Sequence, residues 1–294
     1  MKVFITGANG FIGGAVASAL RADGHKIRGL VRDQAKADAV AAFGIEPVIG
    51  TLDDAALLQI EARAADAVVN AANSDHRGAA EALLAGLSGS GKAFLHSSGS
   101  SIIADQAMGE PSDRIFYEDQ PIAPDAEKAG RVAIDRLVLE ASGIRSIVLC
   151  NAMIYGSALG PPAQSVQIPA LLRQARASGV VRYIGRGLNR WSNVHIADVA
   201  RLYALALDKA RPGTFMFVEN SEESLGEIAR AIAAKLGLDA AQSWSADEAI
   251  GFWGRGTAVF SLGSNSRVRG KAAAALGWTP AHRSVTRWIA DELV

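Results

Sequence analysis

Val3-Phe4-Ile5-Thr6-Gly7-Ala8-Asn9-Gly10-Phe11-Ile12-Gly13-Gly14 is the stretch from which the fold can be read. A short β-branched and aromatic run predicts a strand, and the glycines that follow predict a tight turn into a helix. Gly7 permits the turn. Gly10 lets a backbone come close to a pyrophosphate. Gly13 lets the helix pack tightly on the strand. The helix start then offers free N–H groups and a positive dipole end to phosphate oxygens. Strand, spacing and helix agree, so the segment predicts a dinucleotide site on Gly7, Asn9, Gly10, Phe11, Ile12 and Gly13.

Outward from this segment, apolar runs alternate with Ala/Leu-rich stretches. Strands are predicted at Ile27 to Val31, Glu46 to Ile49, Asp66 to Ala71, Ala93 to His96 and Ser146 to Cys150. Helical stretches separate them, including Gly78 to Leu87 and a long one at Ala126 to Ala141. The strands are continuously apolar, as parallel strands covered on both faces must be. The pattern predicts an α/β fold, a doubly wound parallel sheet of the Rossmann kind. After Asn151 the character changes to Gly/Pro-rich loops, short helices and tryptophans. The expected division is a dinucleotide-binding domain over 1–155 and a smaller, interleaved C-terminal substrate region over 156–294. About 194–218 of that region are expected to return to the main sheet.

The 294 residues carry equal numbers of basic and acidic side chains, 30 each. That balance argues against a nucleic-acid or membrane-surface partner, both of which want a basic excess. The single cysteine, Cys150, excludes an internal disulfide and reads as a core thiol. The five histidines form no metal-binding spacing, so no metal is expected. No secretory leader or membrane span is read, and the expectation is a soluble, cytoplasmic protein.

The end of the second predicted strand bears on the cofactor. A site for NAD usually carries a carboxylate there, bonded to the ribose 2′-hydroxyl. Here that position is Val31, followed by Arg32, whose guanidinium can clamp a 2′-phosphate. The expectation is NADP rather than NAD. Asp33 would take the ribose role if the register shifted by two.

Several further segments carry a family resemblance over nearly the whole chain. They are Thr6-Gly7 to Gly13, Thr51-Leu52-Asp53, Asn70-Ala71-Ala72, His96-Ser97-Ser98-Gly99-Ser100, Ile154-Tyr155-Gly156, Asn193 to Ala200 and Leu276-Gly277-Trp278-Thr279-Pro280. Together they resemble the extended short-chain dehydrogenase/reductase superfamily, the epimerase/dehydratase-like branch. The resemblance implies that Leu52 and Asp53 lie at the adenine edge and that Ala71, Ala72 and Ser97 line the cofactor. It also implies a possible homodimer through the helices at Gly78 to Leu87 and Ala126 to Ala141.

The resemblance breaks at the proton relay. The superfamily carries Tyr and Lys four residues apart on one helical face. Lys128 matches the lysine, but Pro124 stands at the tyrosine position, and proline transfers no proton. Gly99 stands where the reactive serine belongs, with Ser98 and Ser100 beside it. Lys128 is therefore the main catalytic candidate, as a cofactor ligand or as the acid. Ser98 and Ser100 are candidates to bond a substrate carbonyl, or else cap the next turn. Tyr117 is a candidate surrogate acid, or a packed surface aromatic. Tyr155 and Trp191 are candidates for the substrate wall, or core. Arg267 is a candidate anion ligand, or a surface arginine. The reading is an NADP-dependent oxidoreductase that reduces a carbonyl or activated double bond of a small molecule. The alternatives are an epimerase or dehydratase with tightly held NAD(P), and a non-catalytic NADP-sensing protein.

Overall fold

The computed structural model describes residues 1–293. Its first half alternates strand and helix: β1 (Lys2–Thr6), α1 (Phe11–Ala22), β2 (Lys26–Val31), α2 (Gln34–Ala41), β3 (Glu46–Ile49), α3 (Ala55–Ala64), β4 (Ala67–Asn70), α4 (Arg77–Leu87) and β5 (Ala93–Gly99). The strands Arg145–Asn151 and Thr214–Val218 complete a seven-stranded sheet. Across the sheet the order is Thr214–Val218, Arg145–Asn151, β5, β4, β1, β2, β3, and every pairing is parallel. The chain reverses direction across the sheet between β1 and β4, where open α/β sheets bind ligands.

Side chains alternate across each strand, so both faces must be covered. Val3 and Ile5 pack with Val16 and Leu20 of α1 and with Leu202 and Tyr203 of the helix Ile196–Lys209. Phe4 and Val68 face the other way, onto Leu58 of α3 and Leu83 of α4. Cys150 is fully buried, and that burial pushes its thiol pKa up.

The chain after Asn151 builds a second layer beside the sheet edge. Strands Met153–Tyr155, Arg190–His195 and Ser221–Ser224 form a three-stranded sheet. Its core takes Tyr155, Trp191, Ile228, Ile289 and Trp288. The glycine- and arginine-rich segment over 183–193, where the sequence suggests a loop, begins in the strand Arg182–Ile184 and ends in the strand Arg190–His195. The long helix read over Ala126 to Ala141 starts as a short 3-10 turn, Ala126–Lys128, and continues as α5 (Ala129–Leu139). Among the described residues, no helix is long and apolar enough to cross a membrane.

Candidate functional site

All seven strands are parallel, so their C-terminal ends share one edge. A cleft of about 470 Å³ opens there, between the sheet and the second layer. Phe11 and Ile12 of the glycine segment line it, as do Ala71 and Ala72 after β4, Ser97, Ser98 and Ser100 at β5, Lys128, and Trp191. The structure thus gathers residues that lie far apart in sequence.

The glycine segment is built for close approach. Gly7 has φ +73°, and a Cβ there would lie 2.8 Å from Ala72 Cα. A Cβ on Gly13 would lie 2.2 Å from the Gly7 carbonyl oxygen. Gly10 caps α1 and offers no side-chain acceptor to its first turn. The starts of α2, α3 and α4 are instead capped by Asp33, Asp54 and His76. A helix start with free N–H groups beside a backbone cradle fits a pyrophosphate.

At the neighbouring strand ends, Arg32 is exposed and makes no hydrogen bond or ion pair with the described residues. Asp33 is committed: its carboxylate accepts from Lys36 N at 2.9 Å and pairs with Lys36 Nζ at 2.9 Å. Those bonds hold its pKa below the usual value. Leu52 is half-buried, and Asp53 accepts from His76 Nε2 at 3.0 Å. Because His76 Nδ1 accepts from Ala79 N, its proton sits on Nε2.

At β5 the hydroxyls face inward. Ser98 donates to Asp135 Oδ2 at 2.7 Å. Ser266 Oγ donates to the Ser100 carbonyl at 2.9 Å, so Ser100 Oγ spends its own hydrogen on Ser266 Oγ at 2.8 Å. Neither serine therefore aims a free proton at the cleft, which corrects their candidacy as carbonyl ligands. Ser97 Oγ lies 2.7 Å from Tyr203 OH, which also accepts from Asn151 Nδ2 at 3.0 Å.

Lys128 remains in the cleft, its Nζ 5.0 Å from the centre of the Phe260 ring. Burial, and then the charge of Arg131, lower its pKa. Pro124 lies before the helical turn, so no helical face joins positions 124 and 128.

Three other candidates lie outside the cleft. Tyr117 is exposed in the strand Phe116–Tyr117, paired with Val268–Arg269. Tyr155 is fully buried, 5.2 Å from the His195 ring and 5.9 Å from that of Trp288. On so short a strand, side chains alternate, and it is Ile154 that faces the cleft. Arg267 is held by Glu222 at 3.0 Å and by the Ser112 carbonyl at 2.7 Å. Trp191 does line the cleft, with Nε1 fixed to the Ser264 carbonyl at 3.0 Å.

Sequence reasoning missed Arg131, Ser101 and Phe260, which also line the cleft. It missed the buried chain behind it as well. Thr6 Oγ1 donates to Asn70 Oδ1, so Asn70 Nδ2 donates to His96 Nδ1, at 3.1 Å. The His96 proton therefore sits on Nε2, 3.7 Å from Asp135 Oδ1. One signal was available: Lys128, Arg131 and Asp135 are spaced i, i+3, i+7, a single helical face.

Residues 3–216 match the NAD dependent epimerase/dehydratase family. The chain belongs to that family. Its fold is that of the extended short-chain dehydrogenase/reductases, and membership supports an NAD(P)-dependent activity of the oxidoreductase or epimerase type. Among curated relatives, the oxidase ucsJ of an Acremonium species is 30% identical, with 95% of this chain and 92% of that protein covered. A 4-hydroxy-2-methyl-3-oxo-4-farnesyl-3,4-dihydroquinoline-1-oxide ketoreductase of Stigmatella aurantiaca is 28% identical, over 74% of this chain and 68% of that one. Among solved structures, the dTDP-glucose 4,6-dehydratase DesIV of Streptomyces venezuelae, with NAD and TYD bound, aligns with a TM-score of 0.77. It is 20% identical, and the alignment covers 100% of this chain and 96% of that one, a likeness of fold.

Proposed function

We propose that this family member is an NADP-dependent reductase acting on a carbonyl of an uncharged small molecule. The observation that carries this is the composition of the cleft at the strand ends. The glycine segment and Lys128 stand on its sheet side, and the wall supplied by the second layer bears no charged side chain. That wall includes Trp191, Phe260, Val166, Thr257 and Gln164. Arg255, next to it in sequence, pairs with Glu127 at 3.2 Å. A sugar nucleotide would bring a diphosphate to this side, and no cation lines that wall of the cleft. The ketoreductase relative is named for a 3-oxo, 4-farnesyl dihydroquinoline-1-oxide, and a farnesyl-bearing ring ketone agrees with such a wall.

When bound, NADPH supplies a hydride. The first turn of α1 would hold its pyrophosphate, and Arg32 its 2′-phosphate. At that strand end Asp33 is engaged by Lys36 on both carboxylate oxygens, whereas Arg32 is exposed and unpaired among the described residues. Lys128, with its lowered pKa and no tyrosine beside it in the cleft, holds the proton that the reduced oxygen needs.

The test is a pair of fluorescence titrations with NADPH and NADH, followed by NADPH oxidation over a panel of apolar ketones and quinones. NADPH is expected to bind at least about tenfold tighter, and Arg32→Ala to remove most of that preference. Equal affinity for both cofactors, or a preference that survives Arg32→Ala, overturns the NADP assignment. A wild-type protein that binds NADPH but turns over none of the panel overturns the reductase.

A further inference from the structure

β5 ends at Gly99, where the resemblance would place a reactive hydroxyl. The space beyond it is not empty. A Cβ on Gly99 would lie 3.4 Å from Arg131 Nη1, in ordinary contact. The guanidinium thus occupies the ground into which a side chain at position 99 would point. Arg131 itself lines the cleft.

Its orientation is fixed from two sides. Nε donates to Asp75 Oδ1 at 2.8 Å, and Nη2 donates to the other oxygen of the same carboxylate. Nη1 donates to Ser101 Oγ at 3.0 Å. A guanidinium carries five N–H groups. These three bonds use three of them and leave two, one on each terminal nitrogen. The side chain is only 15% exposed, whereas that of Asp75 is 56% exposed. The guanidinium is therefore largely withdrawn from water. Opposite charges interact more strongly in such surroundings than in water. The Asp75 pair raises the Arg131 pKa against the opposing effect of burial, so the charge is permanent.

We propose that Arg131 binds the substrate oxygen as it becomes negative, in the place left open at Gly99, with Asp75 as its positioning residue. This rests on the reductase reading above. The hydride and its electron pair go to the carbonyl carbon. The C=O π pair moves onto oxygen, and the two free N–H groups of Arg131 receive that oxyanion. A guanidinium cannot give up its proton here, so the proton comes from the Lys128 ammonium. Lys128 is left as an amine and is recharged from water. The two cations divide what the serine and tyrosine of the superfamily do together: one holds charge, the other delivers the proton. Such preorganised donors act mainly in the transition state.

The probe is 4-nitrophenol, whose visible absorption reports its ionisation, titrated into the NADP⁺-loaded protein across pH. On the wild type, the bound phenol is expected to ionise at least about one pH unit below its value in water. Arg131→Gln should abolish that shift and weaken phenolate binding by about tenfold or more, while changing the NADPH affinity by less than about threefold. Arg131→Lys should keep part of the shift, because the charge stays and the fork is lost. Asp75→Asn should reduce it, because the plane is no longer held. Unchanged far-ultraviolet circular dichroism establishes that each variant is folded. Identical ionisation curves for wild type and Arg131→Gln, or no saturable phenol binding by the wild type, overturn the proposal. Failure of the wild type to bind NADPH would instead strike the reductase reading, and the same phenol titration without cofactor then decides the Arg131 site by itself.

Discussion

Asp135 is the residue whose surroundings are least ordinary. It is buried beneath the cleft, bonded by Ser98 on one oxygen and faced by His96 on the other. Burial pushes its pKa up to about 7, against the opposing effects of the Ser98 bond and the Arg131 charge. Asp75 adds to the rise. Burial, followed by the Arg131 charge, pushes His96 down to about 4, so it stays neutral at pH 7. The signs of the two linkages are opposite. Asp135 binds its proton more tightly folded than unfolded, so its contribution is greatest below about pH 4 and is lost as pH rises towards 7. His96 binds its proton less tightly when folded, so its contribution is present above pH 6.5 and lost as pH falls towards 4. Asp135→Asn removes only the first. Each pKa unit is worth about 1.4 kcal/mol, so the variant should gain on the wild type by on the order of 4 kcal/mol between pH 4 and pH 8. Denaturant melts of the two proteins at both pH values measure this. Curves that stay parallel would mean that Asp135 is already ionised in the folded state.

At the scale of the element, the strand–turn–helix from β1 through Gly10 to α1 leaves almost no room. Gly13 faces the Gly7 carbonyl so closely that a single methyl group must displace backbone. Gly13→Ala should therefore cost about 1–3 kcal/mol of stability, the usual range for overpacking. It should also weaken NADPH binding, because the displaced backbone is the cradle itself. A thermal melt and a cofactor titration check the two effects. A variant with wild-type melting and wild-type affinity would show that the loop yields freely. This element was legible in the sequence because everything that defines it is local: a strand, a turn and a helix start within a dozen residues. The strands of the seven-stranded sheet were legible for a similar reason, since burial on both faces writes itself as an uninterrupted apolar run. Side-chain direction was harder to read. Tyr155 and Ile154 are neighbours on a strand of three residues, and a period of two decides which one meets the ligand. Nothing within three residues fixes that phase. Ser98 and Ser100 were placed at the correct strand end, but the partners that claim their hydrogens, Asp135 and Ser266, are 37 and 166 residues away. Arg131 was hidden differently. Its role depends on a missing side chain at Gly99, 32 residues earlier, and only the fold brings the two together.

At the scale of the molecule, the cleft has two kinds of wall. The sheet side presents backbone donors and fixed charge, and the second layer presents uncharged surface. Trp191 belongs to the second wall. It lines the cleft, and its Nε1 is held by the Ser264 carbonyl in the segment that pairs back onto the second layer. A cofactor lying along the strand ends would touch the glycine segment, β4, β5 and Lys128 together, so its binding should stabilise the fold as a whole rather than one loop. A ligand that binds only the folded state at a hundred times its Kd adds about 2.7 kcal/mol. For a chain of this size each kcal/mol moves the Tm by about 2–4 °C. Saturating NADPH should then raise the Tm by roughly 5–10 °C, and NADH at the same concentration by less. Arg32→Ala should bring the NADPH shift down to that of NADH while leaving the unliganded Tm unchanged, because Arg32 has no partner among the described residues to lose. A fall in the unliganded Tm would show that Arg32 is structural. Equal shifts for the two cofactors on the wild type would place the stabilising contacts on the pyrophosphate and nicotinamide, and leave the 2′-phosphate unread.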